Sequence, residues 1–223
     1  MKTPSTRLLL CGILLIASNL RLPITSIGPV MQDIGLSYHL GSSALGLLTT
    51  LPLLAFALIS PLAPLLSQRI GLKRSLGLSL LLIIIGFTGR LLPVLPMLYV
   101  GTALLGAGIA IGNVLLPSLV KQRFPERIAL ITSVYAFTMG VAAAAGSALV
   151  IPLMQTLTWS WALALFAFVV LAIISLLVWL PQLKAEPVAS KHAAQQNTHV
   201  TPALWKHGLA WQVTAFLGVN SLI

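Results

Sequence analysis

The amino-acid sequence predicts an all-α polytopic membrane protein, and three observations predict it. Charged residues make up only 7% of the 223-residue chain, hydrophobic residues 58%, and mean hydropathy is +1.02. Soluble domains carry about a quarter charged residues, so this chain cannot cover a water-facing surface. Six apolar runs each approach the roughly 20 residues that a helix needs to cross a bilayer. Basic residues collect in alternate gaps between those runs.

The runs fall at about Leu8–Met31, Ala44–Leu66, Ser75–Leu92, Met97–Leu119, Ile128–Leu153 and Trp161–Leu180. They are continuous rather than alternating. Of the two structures that satisfy backbone groups in lipid, they therefore fit helices and not barrel strands. The first run, with Lys2 and Arg7 before it and Cys11 within it, has features of a signal peptide or lipoprotein site. It continues apolar past Ser18 to Val30, so it reads as a retained span. A seventh run starts at Leu209 and stops at Ile223, as if the chain were cut inside helix seven. The expected organisation is a six-helix bundle over residues 1–181, a polar linker over 182–208 and the start of helix seven over 209–223. His192, His199 and His207 lie in that linker without zinc spacing and read as solvated.

Orientation follows from the basic residues. Lys2 and Arg7 precede the first run. Arg69, Lys73 and Arg74 occupy the second gap, Lys121, Arg123 and Arg127 the fourth, and Lys184, Lys191 and Lys206 the sixth. The other gaps carry none. The positive-inside rule then places the N-terminus, the even gaps and the linker in the cytoplasm. The net charge of +10 is thus a topology signal. A nucleic-acid partner, which needs a basic patch on a soluble face, is not expected; the lipid bilayer is.

Catalysis has little to rest on. The acids are Asp33, Glu126 and Glu186, all outside the runs, and no phosphate loop, nucleophile elbow or dinucleotide fingerprint occurs. Neither an enzyme nor a cofactor or metal is expected. A proton-coupled carrier needs a titratable group in the membrane, and that group is expected in a part of the protein beyond this sequence.

Two basic residues stand apart from the topology clusters. Arg21 lies about 20 Å along the first helix at 1.5 Å per residue, near mid-membrane, where a charge costs at least about 2.5–3.5 kcal/mol. It reads as an anion-attracting group facing a water-filled cavity, or as a brace on backbone carbonyls beside Pro23; the two roles are compatible. Pro23 lacks an N–H and deprives the Asn19 carbonyl of its helical donor, so a kink is expected there. Ser18 and Thr25 share a face with Arg21. Arg90, near the outer end of helix three, either binds substrate or snorkels to the interface. Tyr135 either donates to substrate or packs with its hydroxyl satisfied. Gly108 with Gly112, and the ridge Gly140–Gly146, fit close helix packing. Trp159, Trp161 and Trp179, near run ends, read as interfacial anchors.

Several stretches carry a family resemblance. "PLLSQRIGLKR" resembles the loop after helix two of major facilitator superfamily transporters, with Arg69, Gly71, Lys73 and Arg74 fitting the pattern. Pro64 replaces its leading glycine and Gln68 its acid, which weakens the charge relay that latches this gating loop. "LRLPITSIGPV", "TLPLLAFALISPLA", "GNVLLPSLVKQRFP" and "YAFTMGVAAAAGSALV" resemble the cyanate and 2-nitroimidazole transporter branch. The resemblance implies an N-terminal half whose six-helix partner half is missing from this sequence. It further implies secondary active transport by alternating access, of a cyanate-like anion or a nitroimidazole-like solute, with export favoured. The location implied is the bacterial inner membrane. The alternative is a channel built from half-size subunits.

Facilitator halves contain inverted three-helix repeats in which helices one and four correspond. "NLRLP" at Asn19–Pro23 and "NVLLP" at Asn113–Pro117 repeat one device at those positions. Arg21, Asn19, Thr25, Asn113, Tyr135 and Arg90 are therefore the candidate substrate-binding residues. The topology is testable with reporter fusions. Fusions after Gln68, Gln122 and Gln195 are expected to read cytoplasmic, and those after Gly41 and Thr156 external. An external Gln68 fusion would contradict the orientation.

Overall fold

The computed structural model describes residues 6–156 and 160–183. Among them every regular element is helical, and six stretches are long and apolar enough to cross a membrane. The first contains α1 (Thr6–Thr25), a 3-10 turn at Gly28–Val30 and α2 (Met31–Tyr38). The second is α3 (Ser42–Ile59), followed by the short α4 (Ala63–Ile70). Next come α5 (Leu72–Leu91), α6 (Leu95–Arg123) and α7 (Ile128–Thr156). The sixth stretch is split into α8 (Trp161–Ala167) and α9 (Val169–Leu183). Trp159, the linker beyond Leu183 and the start of helix seven lie outside the described residues.

Small residues set the closest approaches, as expected where lipid supplies no hydrophobic drive between helices. A Cβ added to Gly86 on α5 would sit 2.6 Å from the Gly101 carbonyl, and one on Gly101 would sit 2.7 Å from the Gly86 carbonyl. The α5 and α6 backbones therefore touch, which side chains larger than hydrogen forbid. Gly108 makes the same approach to Ser79, whose hydroxyl donates to the Gly108 carbonyl at 2.8 Å. Gly112 admits Leu20 of α1. On the α7 ridge, Gly146 packs against the Leu22 carbonyl, whereas Gly140 faces open space.

The loop between α4 and α5 turns at Gly71, which has φ 94° and caps both helices. A side chain is strained at that φ, so the motif glycine is required by the backbone. Arg69 and Arg74 are exposed. Lys73 is buried, and its carbonyl accepts a 2.9 Å bond from Trp179 Nε1.

That bond corrects one expectation. Trp179 is fully buried and clamps α9 to the start of α5, and Trp161 is 8% exposed, donating to Ser37 Oγ at 2.9 Å and meeting Tyr38 edge to face. Trp179 is therefore not an interfacial anchor, because its indole N–H is spent inside the bundle, whereas Trp161 bonds an exposed serine of α2. Helix α1 runs through Pro23 and ends after Thr25. Local groups take up the carbonyls at that end: Ser26 N donates to the Leu22 carbonyl at 3.1 Å and Thr25 Oγ1 to the Arg21 and Leu22 carbonyls at 3.3 Å. Asp33 also proves to be helical, in α2. It lies eight residues beyond the end of α1, past a turn and the 3-10 segment.

Candidate functional site

Three sides of α1 are occupied. Thr25 Oγ1 donates to the Ala143 carbonyl of α7 at 3.0 Å, and Ser147 Oγ returns a 3.1 Å bond to the Thr25 carbonyl. Leu20 enters the notch at Gly112 of α6. Asn19, 2% exposed, donates from Nδ2 to Ser175 Oγ of α9 at 2.7 Å and to the Leu15 carbonyl at 2.8 Å. The Ser175 hydroxyl passes its proton on to the Leu171 carbonyl at 2.6 Å.

Arg21 projects from the remaining sector. At about 100° per residue, it lies between the direction of Thr25, which meets α7, and that of Leu20, which meets α6. It is exposed, and no hydrogen bond or acidic partner reaches its guanidinium among the described residues. Asn113 adjoins Gly112, so the Leu20–Gly112 contact sets Asn113 at the height of Arg21. Its Nδ2 donates to the Ile109 carbonyl at 3.1 Å. Asn19 and Asn113 thus make the same bond four residues back, and the repeated Asn-Pro spacing has a structural counterpart. Asn19 spends its second donor on α9; Asn113 stays half-buried beside the open sector. The structure therefore turns Asn19 toward helix packing, whereas among the described residues Asn113 bonds only its own helix and Thr25 reaches α7.

Tyr135 stands elsewhere. It lies on α7 about 12 Å below Ala143 by helical rise, a full tier from Arg21, and is 9% exposed. A larger cavity of ≈540 Å³ opens near that end, between the start of α1 and the α6–α7 connection, with Arg123, Glu126 and Arg127 on its rim.

Arg90 occupies a different setting again. It is 3% exposed, which removes the snorkelling alternative. Its Nε donates to Thr102 Oγ1 of α6 at 3.1 Å, and Thr102 donates onward to the Leu98 carbonyl at 2.7 Å. The guanidinium borders a ≈60 Å³ chamber that Pro23, Leu48, Pro52, Leu105 and Ile109 also line. Pro23 and Ile24 of α1 and Ile27 just beyond it stand on its wall; around the helix Pro23 points about 160° away from Arg21 and Ile24 about 60°. The two spare cations thus differ in enclosure, Arg21 being exposed and Arg90 buried. Sequence reasoning missed Thr102 and Ser175, the partners of Arg90 and Asn19. A hydroxyl within an apolar run was the available signal, and it is a weak one, because such hydroxyls also bond their own helix.

The model of the Major Facilitator Superfamily matches residues 9–223. The chain belongs to this family. It is 47% identical to the 2-nitroimidazole transporter of Escherichia coli (strain K12) over 96% of its length, and 42% identical to the uncharacterized transporter YycB of Bacillus subtilis (strain 168) over the same share. Identity to the cyanate transport protein CynX of Escherichia coli (strain K12) is 31% over 90% of the chain. These matches cover 54%, 52% and 53% of the relatives, so the chain spans about half their length. The crystal structure of a D-xylose-proton symporter superposes over 91% of the chain with TM-score 0.71 at 15% identity, a likeness of fold alone. The relatives are transporters and not enzymes, and the channel alternative gains no support.

The Asn19–Ser175 bond is open to a double-mutant cycle. Polar contacts between membrane helices average about 0.6 kcal/mol and reach about 1.7. Asn19→Ala and Ser175→Ala should each lower unfolding stability by about that much, and the double variant should lose less than the sum. Additive losses, read from unfolding in mixed detergent, would show that the two side chains act independently.

Proposed function

We propose that this chain forms the first bundle of a secondary transporter that carries a small anionic or polar solute by alternating access. One observation carries the reading: Arg21 stands in an open sector of α1 near mid-membrane, without an acidic partner among the described residues. A charge at such depth is retained where it meets a cavity or a ligand. Its guanidinium is a planar fork of donors suited to oxygen-bearing planar or linear groups. Cyanate and 2-nitroimidazole, named in the relatives, share that chemistry, since each presents a conjugated, electron-rich end. Thr25 and Asn113 flank the cation as neutral partners, and Tyr135 supplies a hydroxyl one tier away.

The other half of the cavity belongs to a second bundle. The stretches that contain α3 and α7 each have only 11% of their most apolar window buried, and these faces suit packing against that bundle and lipid. The loop with Arg69, Gly71, Lys73 and Arg74 serves as the gating connection. The N-terminus is cytoplasmic, the membrane is the bacterial inner membrane, and export is the favoured direction.

The test is made on the transporter with both bundles present. Arg21→Ala should abolish transport while insertion and thermal stability persist. Arg21→Lys should retain solute recognition at an affinity lower by about 1.5–3 kcal/mol, the scale of a charged hydrogen bond. If Arg21→Ala binds solute normally and only melts earlier, Arg21 is a brace and the binding role fails.

A further inference from the structure

We infer that the Arg90 chamber is a binding site for one small monovalent anion of the halide or pseudohalide class, held inside the bundle and separate from the Arg21 sector. The guanidinium is 3% exposed, and its Nη1 has no hydrogen-bond partner among the described residues. Only Nε is engaged, by Thr102. Burying a permanent cation is costly without a partner, and the described acids, Asp33 and Glu126, make no ion pair with it.

The adjoining space fits such an occupant. Its volume of ≈60 Å³ exceeds the roughly 10–15 Å³ of open space that one water requires. It has room for a chloride or a short linear anion, and none for a sulfate with its hydration shell. The walls are mostly aliphatic or proline, from Ile24, Ile27, Leu48, Pro52, Leu105 and Ile109. Water alone would find few partners there beyond Arg90 and Thr49. Low polarity strengthens the attraction between a guanidinium and an anion.

The backbone around the chamber is fitted to Arg90. A Cβ on Gly101 would lie 3.2 Å from Arg90 N and 3.4 Å from its Cγ, so the glycine clears the path of the side chain. A Cβ on Gly106 would lie 2.7 Å from Pro52 Cα, so that glycine brings α3 against α6 and closes the wall. An anion here links α1, α3, α5 and α6 through one charge, and so it should stabilise the bundle.

The purified chain in detergent is melted at constant ionic strength in chloride, bromide or thiocyanate, with gluconate and sulfate as large-anion controls. Small anions should raise the melting temperature in proportion to the logarithm of their concentration once above the dissociation constant, as a ligand of the folded state does, and gluconate and sulfate should not. Arg90→Gln should weaken the apparent affinity by about tenfold or more, the scale of one charged hydrogen bond, while Lys121→Gln, which removes an exposed charge outside both sites, leaves it unchanged. Should Arg90→Gln fail to fold, Thr49→Leu, at an exposed position on the rim, should lower the affinity by filling the mouth. Chloride-35 line broadening on the unmodified chain, reversed by bromide, reports binding without any variant. Equal melting in all five anions, with no line broadening, would mean that the chamber holds water alone and would overturn the assignment. Loss of the effect in Arg21→Gln with retention in Arg90→Gln would move the anion to Arg21 and overturn it equally.

Discussion

Everything else in the bundle takes its place from the way α1 is held. Thr25 and Ser147 exchange bonds across the α1–α7 boundary, Asn19 reaches Ser175 on α9, and Leu20 fills the notch of Gly112 on α6. In lipid each polar group must be answered by protein, so these contacts fix the rotation of α1 as well as its neighbours. With three directions taken, Arg21 has one direction left. The functional sector is thus a consequence of packing: Asn19 and Thr25 spend their donors on neighbouring helices, and the charge between them is left facing outward.

The two spare cations show how depth and enclosure divide roles between residues of the same type. Arg21 is exposed on a surface that a second bundle or a solute can approach. Arg90 is enclosed, with Thr102 on one side and an aliphatic chamber on the other. The prolines serve both. Pro23 and Pro52 interrupt helical bonding in α1 and α3, and both line the chamber wall. At the end of α1 the hydroxyls of Thr25 and Ser26 cover the carbonyls of the last turn, those of Arg21, Leu22 and Pro23.

The fold was largely legible in the sequence because span length and charge content are decided by the bilayer, not by neighbours. Gly71 was legible for a local reason, since a positive φ admits little else. Gly108 and Gly112 were legible as packing residues, although not that they face different helices. Trp179 misled because an indole serves an interface and a buried clamp equally well. Its partner, the Lys73 carbonyl, is 106 residues away. Asn19 and Ser175 are 156 residues apart, and no local pattern records such a meeting. The depth of Arg90 was hidden by the end of its apolar run, which suggested an interface. In the fold α2 reaches over that end, with the Tyr38 hydroxyl 3.5 Å from the Leu92 carbonyl.

The central claim is the rotation of α1, and site-directed thiol labelling tests it most directly. In a Cys11→Ser background of the protein with both bundles, single cysteines replace Asn19, Leu20, Arg21 and Leu22 in turn. Each is then exposed to a small, water-soluble methanethiosulfonate. The account predicts rapid labelling at position 21 and protection at positions 19, 20 and 22, which face α9, α6 and α7. Labelling at position 19 with protection at 21 would mean that α1 is turned the other way, and the open sector would lose its cation.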